Sequence, residues 1–357
     1  MFTIHIASIG EMIVMEYRLL GRTGMRVSPL CLGGMMFGWW GENGYDETLA
    51  MIRQAVDAGI NFIDTADIYS GGESEELIGR CLADTGLRDQ VVLATKVHGS
   101  MGDDPNQGGN SRRWIMRAVD DSLRRLRTDR IDLYQIHRPD PAVDVDETLG
   151  ALTDLIRAGK VRYAGSSTFP AYQMVEAQWV AERRGRERFA AEQPPYSILA
   201  RGAEADVLPV CQSYGLGVLA WSPLAGGWLT GAYREGAELP ASRRTVMVGD
   251  RYDMALPENQ RKLAAAEQLA RLAEESGLSL VEMSLAFVVR HPAVTSAIIG
   301  PRTMEHLKGH LAADGVRLTA DVLDRIDEIV PPGVTINPAD GGWQAPWLAD
   351  PSLRRRR

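Results

Sequence analysis

Eight short apolar segments, each followed by a stretch with helical periodicity, constrain this chain more than any other feature of it. The segments are Leu30–Gly33, Asn61–Asp64, Val91–Lys96, Ile131–His137, Val161–Ser166, Phe189–Gln193, Val218–Trp221 and Ala297–Gly300. The helical stretches are Asp46–Ala58, Ser74–Ala83, Arg112–Leu126, Asp146–Ala158, Ala171–Arg184, Glu204–Tyr214, a long region Pro257–Arg290, and Thr303–Ala313. Parallel strands covered on both faces need no alternation of polar and apolar residues. Eight strand-helix repeats therefore predict an α/β fold, the (β/α)8 TIM barrel, with a doubly wound sheet as the second fold of the same pattern. Gly59, Gly86, Gly159 and Gly215 stand where helix C-terminal punctuation is expected. Ahead of the first segment, Tyr17–Leu20 and Met25–Ser28 flank a Gly-bounded turn and read as an N-terminal β-hairpin that plugs the far mouth.

In such a barrel the chemistry lies at the C-terminal ends of the strands. Asp64 ends the second segment, Lys96 the third and His137 the fourth, and Tyr69 follows Asp64 on a loop that opens a helix at Glu73. Taken singly, each has an ordinary reading: Asp64 as a loop cap, Lys96 as a surface lysine, His137 as a core imidazole, Tyr69 as a packing aromatic. Together they read otherwise. Ionisable groups inside apolar runs are costly to bury unless they pair. A lysine beside a phenol stabilises the phenolate, so such a phenol can give or take a proton near neutral pH. A histidine could orient a carbonyl oxygen, and the set suits hydride addition to an aldehyde or ketone.

Charge narrows the partners. With 39 Lys and Arg against 47 Asp and Glu, the net charge of -8 argues against nucleic acid, and the basic run Arg354–Arg357 reads as a solvated terminus. Cys31, Cys81 and Cys211 are far apart in apolar runs, which suggests neither a metal site nor a disulfide framework and fits a cytoplasmic setting. Residues 1–15 read as an extension: they lack a basic region ahead of their apolar residues and are too short to span a bilayer. Residues 16–338 would form the single barrel domain, and 339–357 a tail across its mouth.

At several separated places the sequence resembles the aldo-keto reductases. The resemblance rests on Glu16–Gly24, on Asn61–Gly79 with Asp64, Tyr69 and Glu73, on Ala94-Thr95-Lys96, on Gln135-Ile136-His137 and on Gly159–Phe169, in the family's order. It implies a barrel reductase using NADPH, with NADH possible, on a small-molecule carbonyl substrate, and Asp64, Tyr69, Lys96 and His137 as catalytic tetrad. The branch it is most similar to includes potassium-channel β-subunits and many bacterial reductases. A β-subunit-like NADP(H)-binding protein with weak turnover is therefore an alternative, and a Schiff-base lyase using Lys96 is a third reading.

No G-x-G-x-x-G opens a helix after a strand, so a dinucleotide-binding half-domain is not expected. The resemblance instead implies Ser167, Thr168 and Gln193 on the nicotinamide carboxamide, with Trp221 stacked on the ring, though a packing role for this indole is as natural by composition. It further implies Ser222, Leu224, Gly226 and Gly227 along the pyrophosphate, with Gly34, Met35 and Asp64 also at the cofactor. Gly300, Arg302, His306 and His310 would hold its adenylate end, where Arg302 at a helix start suits a 2′-phosphate. His306, Gly309, His310 and Thr168 depart from the residues common in the family. The connections Gly99–Asn110 and Leu224–Leu256 are long, and the second is expected to clasp the cofactor. Trp39, Trp40, Trp343 and Trp347 either line the substrate mouth or pack under these loops.

Overall fold

In a computed structural model the chain is described for residues 15–236, 238, 240 and 248–355. Residues 1–14 of the expected extension, residues 237, 239 and 241–247 of the expected clasp, and Arg356 and Arg357 lie outside this range. A two-stranded hairpin comes first, β1 (Arg18–Leu19) with β2 (Arg26–Val27). Eight further strands follow: β3 (Leu30–Gly33), β4 (Phe62–Asp64), β5 (Val92–Val97), β6 (Ile131–Ile136), β7 (Val161–Ser167), β8 (Phe189–Gln193), β9 (Gly217–Ala220) and β10 (Ser296–Ile299). They pair in parallel and in chain order, and β10 closes the ring by pairing with both β9 and β3. Closure decides for the (β/α)8 barrel and against the doubly wound sheet.

Side chains alternate along a strand, so every second residue enters the barrel lumen. Cys31, Phe62, Ala94, Leu133, Ala191 and Leu219 form one buried apolar cluster with Leu20 and Val27 of the hairpin region. Leu20 is fully buried in it, so the hairpin does close the N-terminal mouth. Two residues further along the same faces come Asp64, Lys96, Gln135, Gln193 and Trp221. The lumen thus changes from dry to polar in one step of two residues. At Gly165 a Cβ would lie 3.0 Å from the Cγ of Gln135, so glycine leaves room for that polar layer.

The helices start and stop where side chains satisfy their free backbone groups. Ser111 caps Arg112–Arg125, Asp144 caps Val145–Arg157, and Gly86, Gly185 and Gly215 end their helices in the left-handed conformation. The long region expected over Pro257–Arg290 is two helices, Pro257–Glu275 and Leu280–Arg290. Gly277, with φ of 69°, turns the chain between them, and Ser279 with Glu282 builds a capping box for the second. A helix at Ala320–Ile329, capped by Thr319, was not among the expected elements. His137, Trp221 and Gly300 stand just past the ends of β6, β9 and β10 rather than within them. Among the described residues, no helix is long and apolar enough to cross a membrane.

Candidate active site

The strand ends at β4, β5 and β6 bring Asp64, Lys96 and Gln135 to one level of the lumen. Lys96 is fully buried, and its ammonium donates to Asp64 Oδ2 at 2.6 Å, to the Thr65 carbonyl at 2.8 Å and to Tyr69 Oη at 3.3 Å. Three bonds occupy all three of its hydrogens. The other carboxylate oxygen, Asp64 Oδ1, accepts from Gln135 Nε2 and Gln193 Nε2, each at 3.0 Å, and Gln193 Nε2 also reaches Gln135 Oε1 at 3.1 Å. A buried ion pair survives when its remaining lone pairs and protons find partners, and here they do. Burial works against the charge of Lys96, but Asp64 and then Tyr69 outweigh it and hold the ammonium's pKa above the ordinary lysine value.

Tyr69 reaches this pair from a tight turn, Tyr69–Gly72, in which Ser70 adopts a φ of 49°. Its ring has Trp40 on one side, centroids 5.8 Å apart, and His137 edge-on at 5.7 Å. The imidazole of His137 has its pKa pushed well below the usual histidine value by burial first, then by Arg138, Lys96 and His98. It is neutral at physiological pH and keeps one N–H to offer. The structure therefore gathers Asp64, Tyr69, Lys96 and His137 at one opening.

The residues expected at a cofactor divide into two groups. Ser167, Thr168 and Gln193 meet at the ends of β7 and β8, where Ser167 Oγ donates to the Gln193 carbonyl at 3.0 Å and Thr168 holds a φ of 61°. Both side-chain hydrogens of Gln193 are taken by Asp64 and Gln135, which leaves its Oε1 as acceptor. After β9, Ser222, Ala225, Gly226 and Gly227 all take positive φ, and Leu224 between them is buried. Non-glycine residues in this conformation carry strain of order 1–3 kcal/mol each, and four of the six in the described residues, Ser70, Thr168, Ser222 and Ala225, stand at this mouth. Trp221 Nε1 and Ser222 Oγ are buried without a hydrogen-bond partner among the described residues. Unmet donors beside a run of left-handed backbone fit a bound nicotinamide dinucleotide.

On the other side, Gly34 is packed by Ser74 and Ile78, whose atoms would lie within 2.9 Å of a Cβ there, and Met35 is half-buried in the same turn. Gly300 and Gly309 have open space where a side chain would go, and Arg302 and His306 are exposed beside them. Arg302 has no ion pair among the described residues. His310 is buried, with its pKa lowered to about 4 by burial and then by His306.

Three features escaped the sequence reading. Gln135 was noted only as a neighbour of His137, yet it carries one of the two amides that hold Asp64. Its signal was the even spacing that puts it on the lumen face with Leu133. Arg138 donates through Nη1 to the His137 carbonyl and to Thr168 Oγ1, and its guanidinium carbon lies 5.8 Å from the Trp221 ring centroid. Asp340, in the C-terminal segment, pairs with Arg251 at 2.6 Å and with Lys262 at 2.8 Å, and so ties that segment to the connection after β9. Just beyond it, a Cβ on Gly342 would lie 2.4 Å from Trp221 Cζ2, so the chain runs directly over the indole. Trp40 lies beside Tyr69, whereas Trp39 and Trp347 are exposed.

Comparison with known proteins agrees with this geometry. The sequence pattern of the Aldo/keto reductase family matches residues 29–331. The chain is 40% identical over 328 residues to an uncharacterized oxidoreductase, YrpG, of Bacillus subtilis, covering 89% of this chain and 96% of that one. It is 36% identical over 321 residues to a putative voltage-gated potassium channel subunit beta of Schizosaccharomyces pombe, covering 88% and 93%. It is 35% identical over 344 residues to the protein tas of Escherichia coli, covering 88% and 97%. The protein belongs to the aldo/keto reductase family, oxidoreductases that work on carbonyl groups with nicotinamide cofactors.

Proposed function

We propose that this protein reduces an aldehyde or ketone to an alcohol, or runs the reverse reaction, with NADPH as its preferred cofactor. The observation that carries the reading is the Lys96 ammonium, which bonds Asp64 and Tyr69 at once inside the barrel. The cofactor, when bound, supplies the hydride. As charge develops on the carbonyl oxygen, Tyr69 gives it a proton, and the ammonium 3.3 Å away stabilises the phenolate left behind. Asp64 keeps Lys96 charged in a place where water cannot. His137, neutral and edge-on to Tyr69, offers its N–H to the same oxygen and fixes the carbonyl's direction.

Ser167, Thr168 and the free Oε1 of Gln193 would hold the carboxamide, Trp221 the ring, and Ser222, Leu224, Gly226 and Gly227 the pyrophosphate. Gly34, Met35 and Asp64 would line the nicotinamide end, and Gly300, Arg302, His306 and His310 the adenylate. Arg302, exposed beside open space and without an ion pair among the described residues, supports the 2′-phosphate of NADPH over NADH. Residues 16–338 would act as one domain, with 339–357 as a tail held over the mouth by Asp340. Its three thiols, all buried and free, support a cytoplasmic location.

A panel of aldehydes and ketones with NADPH and NADH, followed by loss of cofactor absorbance, tests reaction and cofactor together. Absence of turnover with every compound, alongside measurable NADPH binding, would favour the second reading. That reading, a β-subunit-like NADP(H)-binding protein, is supported by the names of several relatives. A Schiff-base lyase is disfavoured because its lysine must lose its proton, whereas Asp64 and Tyr69 hold that of Lys96.

A further inference from the structure

The charges at the mouth do not balance. Lys96 and Asp64 cancel, and His137 is neutral. Asp340 is shared between Arg251 and Lys262, which leaves that buried trio with one positive charge in excess. Arg138 adds another, because no carboxylate pairs with it among the described residues. The acid that acts on it electrostatically is Glu192, whose oxygens are already engaged by Ser166 Oγ and the Phe169 N–H. Burial and then Arg251 oppose the charge on Arg138, against attraction from Tyr69 and Glu192. A guanidinium held partly out of water without a counter-ion is expensive, and a ligand anion would remove that cost.

Position says which ligand. Arg138 directly follows His137 and donates to Thr168, and it reaches across the mouth to lie 5.8 Å from the Trp221 ring, with Arg251 also at 5.8 Å from that ring. The segments read above as holding phosphates, Ser222–Gly227 and Gly300–His310, follow β9 and β10 instead, three and four strands round the barrel from β6. Both hydrogen bonds of Arg138 use Nη1, and among the described residues no acceptor takes the hydrogens of Nε or Nη2. An Nε–Nη2 edge is the fork that receives a carboxylate or phosphate through two parallel bonds.

We propose that Arg138 grips an anionic group on the substrate, so that the site prefers short aldehydes or ketones bearing a carboxylate or phosphate a few atoms from the carbonyl. This rests on the carbonyl-reductase reading, and names its substrate class. Arg138 is then a specificity-determining residue, with Arg251 across the indole as a second source of positive potential.

Matched pairs test it: 4-oxobutanoate against its methyl ester, and glyceraldehyde 3-phosphate against glyceraldehyde, each with the full-length protein and NADPH. In at least one pair the anion should be favoured in kcat/KM by about 10- to 100-fold, the worth of one charge-assisted contact. The pair that shows it distinguishes carboxylate from phosphate. Arg138→Gln should bring the ratio close to one, and Arg138→Lys should restore part of it. Equal kcat/KM for anion and neutral partner in both pairs overturns the proposal while leaving the reductase reading intact, and needs no variant. Equal losses on anion and neutral partner in Arg138→Gln, with weaker NADPH binding by fluorescence titration, overturn it by assigning Arg138 to the cofactor. Inactivity of the unmodified protein on all four compounds and on the wider panel removes the reductase reading and this one with it.

Discussion

The two mouths of the barrel are built from the same strands and obey opposite rules. At the N-terminal mouth Phe62, Ala94, Leu133, Ala191 and Leu219 meet Leu20 of the hairpin region in a dry cluster. Only one step of two residues separates them from Asp64, Lys96, Gln135, Gln193 and Trp221. At that second level nearly every side chain is polar, and the loops above it hold Ser70, Thr168, Ser222 and Ala225 in strained backbone. The lower layer gains free energy from burial, at roughly 1.5–3 kcal/mol for each large apolar side chain. The upper layer forgoes such gains to hold charges and unmet donors where a ligand can use them. Stability and chemistry are thus divided along the barrel axis.

Substitutions should separate the two. Tyr69→Phe should lower turnover by about 10²- to 10⁴-fold, the usual contribution of a general acid, with little change in thermal midpoint or NADPH affinity. Undiminished reduction of a good substrate by that variant would break the division at its upper end. Lys96→Met should lose activity and also cost about 3–5 kcal/mol in denaturant unfolding, because it strands the buried Asp64 carboxylate. Leu20→Ala, at the opposite mouth, should cost about 2–5 kcal/mol while the folded fraction keeps its kcat/KM. A large fall in kcat/KM there would show that the plug and the site are coupled.

The smallest effect sharpens the comparison through pH. Glu192 is fully buried, and burial raises its carboxyl to about 7, against opposing bonds from Ser166, Phe169 and Thr168 and the charge of Arg138. An acid whose folded pKa lies above its unfolded value of about 4.3 stabilises the fold fully below that value. That contribution is lost as pH rises through 7. Glu192→Gln should therefore flatten the decline in stability between roughly pH 4 and 7, with a gain at pH 8 of at most about 4 kcal/mol. Parallel stability curves for the two proteins over that range would remove Glu192 as a titrating group of the native state.

Much of this was legible in the chain. The eight repeats named the barrel, and residues of the wrong polarity at the strand ends named Asp64, Lys96 and His137. Gly59, Gly86, Gly159 and Gly215 marked the ends of four helices, although the break at Gly277 inside an otherwise helical region passed unseen. Gln135 was missed because a glutamine at a strand end has an easy place in any polar loop, and only its bond to Asp64 distinguishes it. Arg138 was missed because an arginine before Pro139 reads as a solvated loop residue.

What the sequence by itself determined is local: polarity at each step of two or of three to four residues, and hence the strands, the helices and the face each buries. What only the tertiary structure decided is charge balance across elements. Asp340 meets Arg251 and Lys262 from 89 and 78 residues away in sequence, and Arg138 lies by Trp221 with no ion-pair partner among the described residues. Local patterning follows from how one segment buries its own surface. The field at the barrel mouth is a sum over groups from many segments, fixed only when the ring of strands closes.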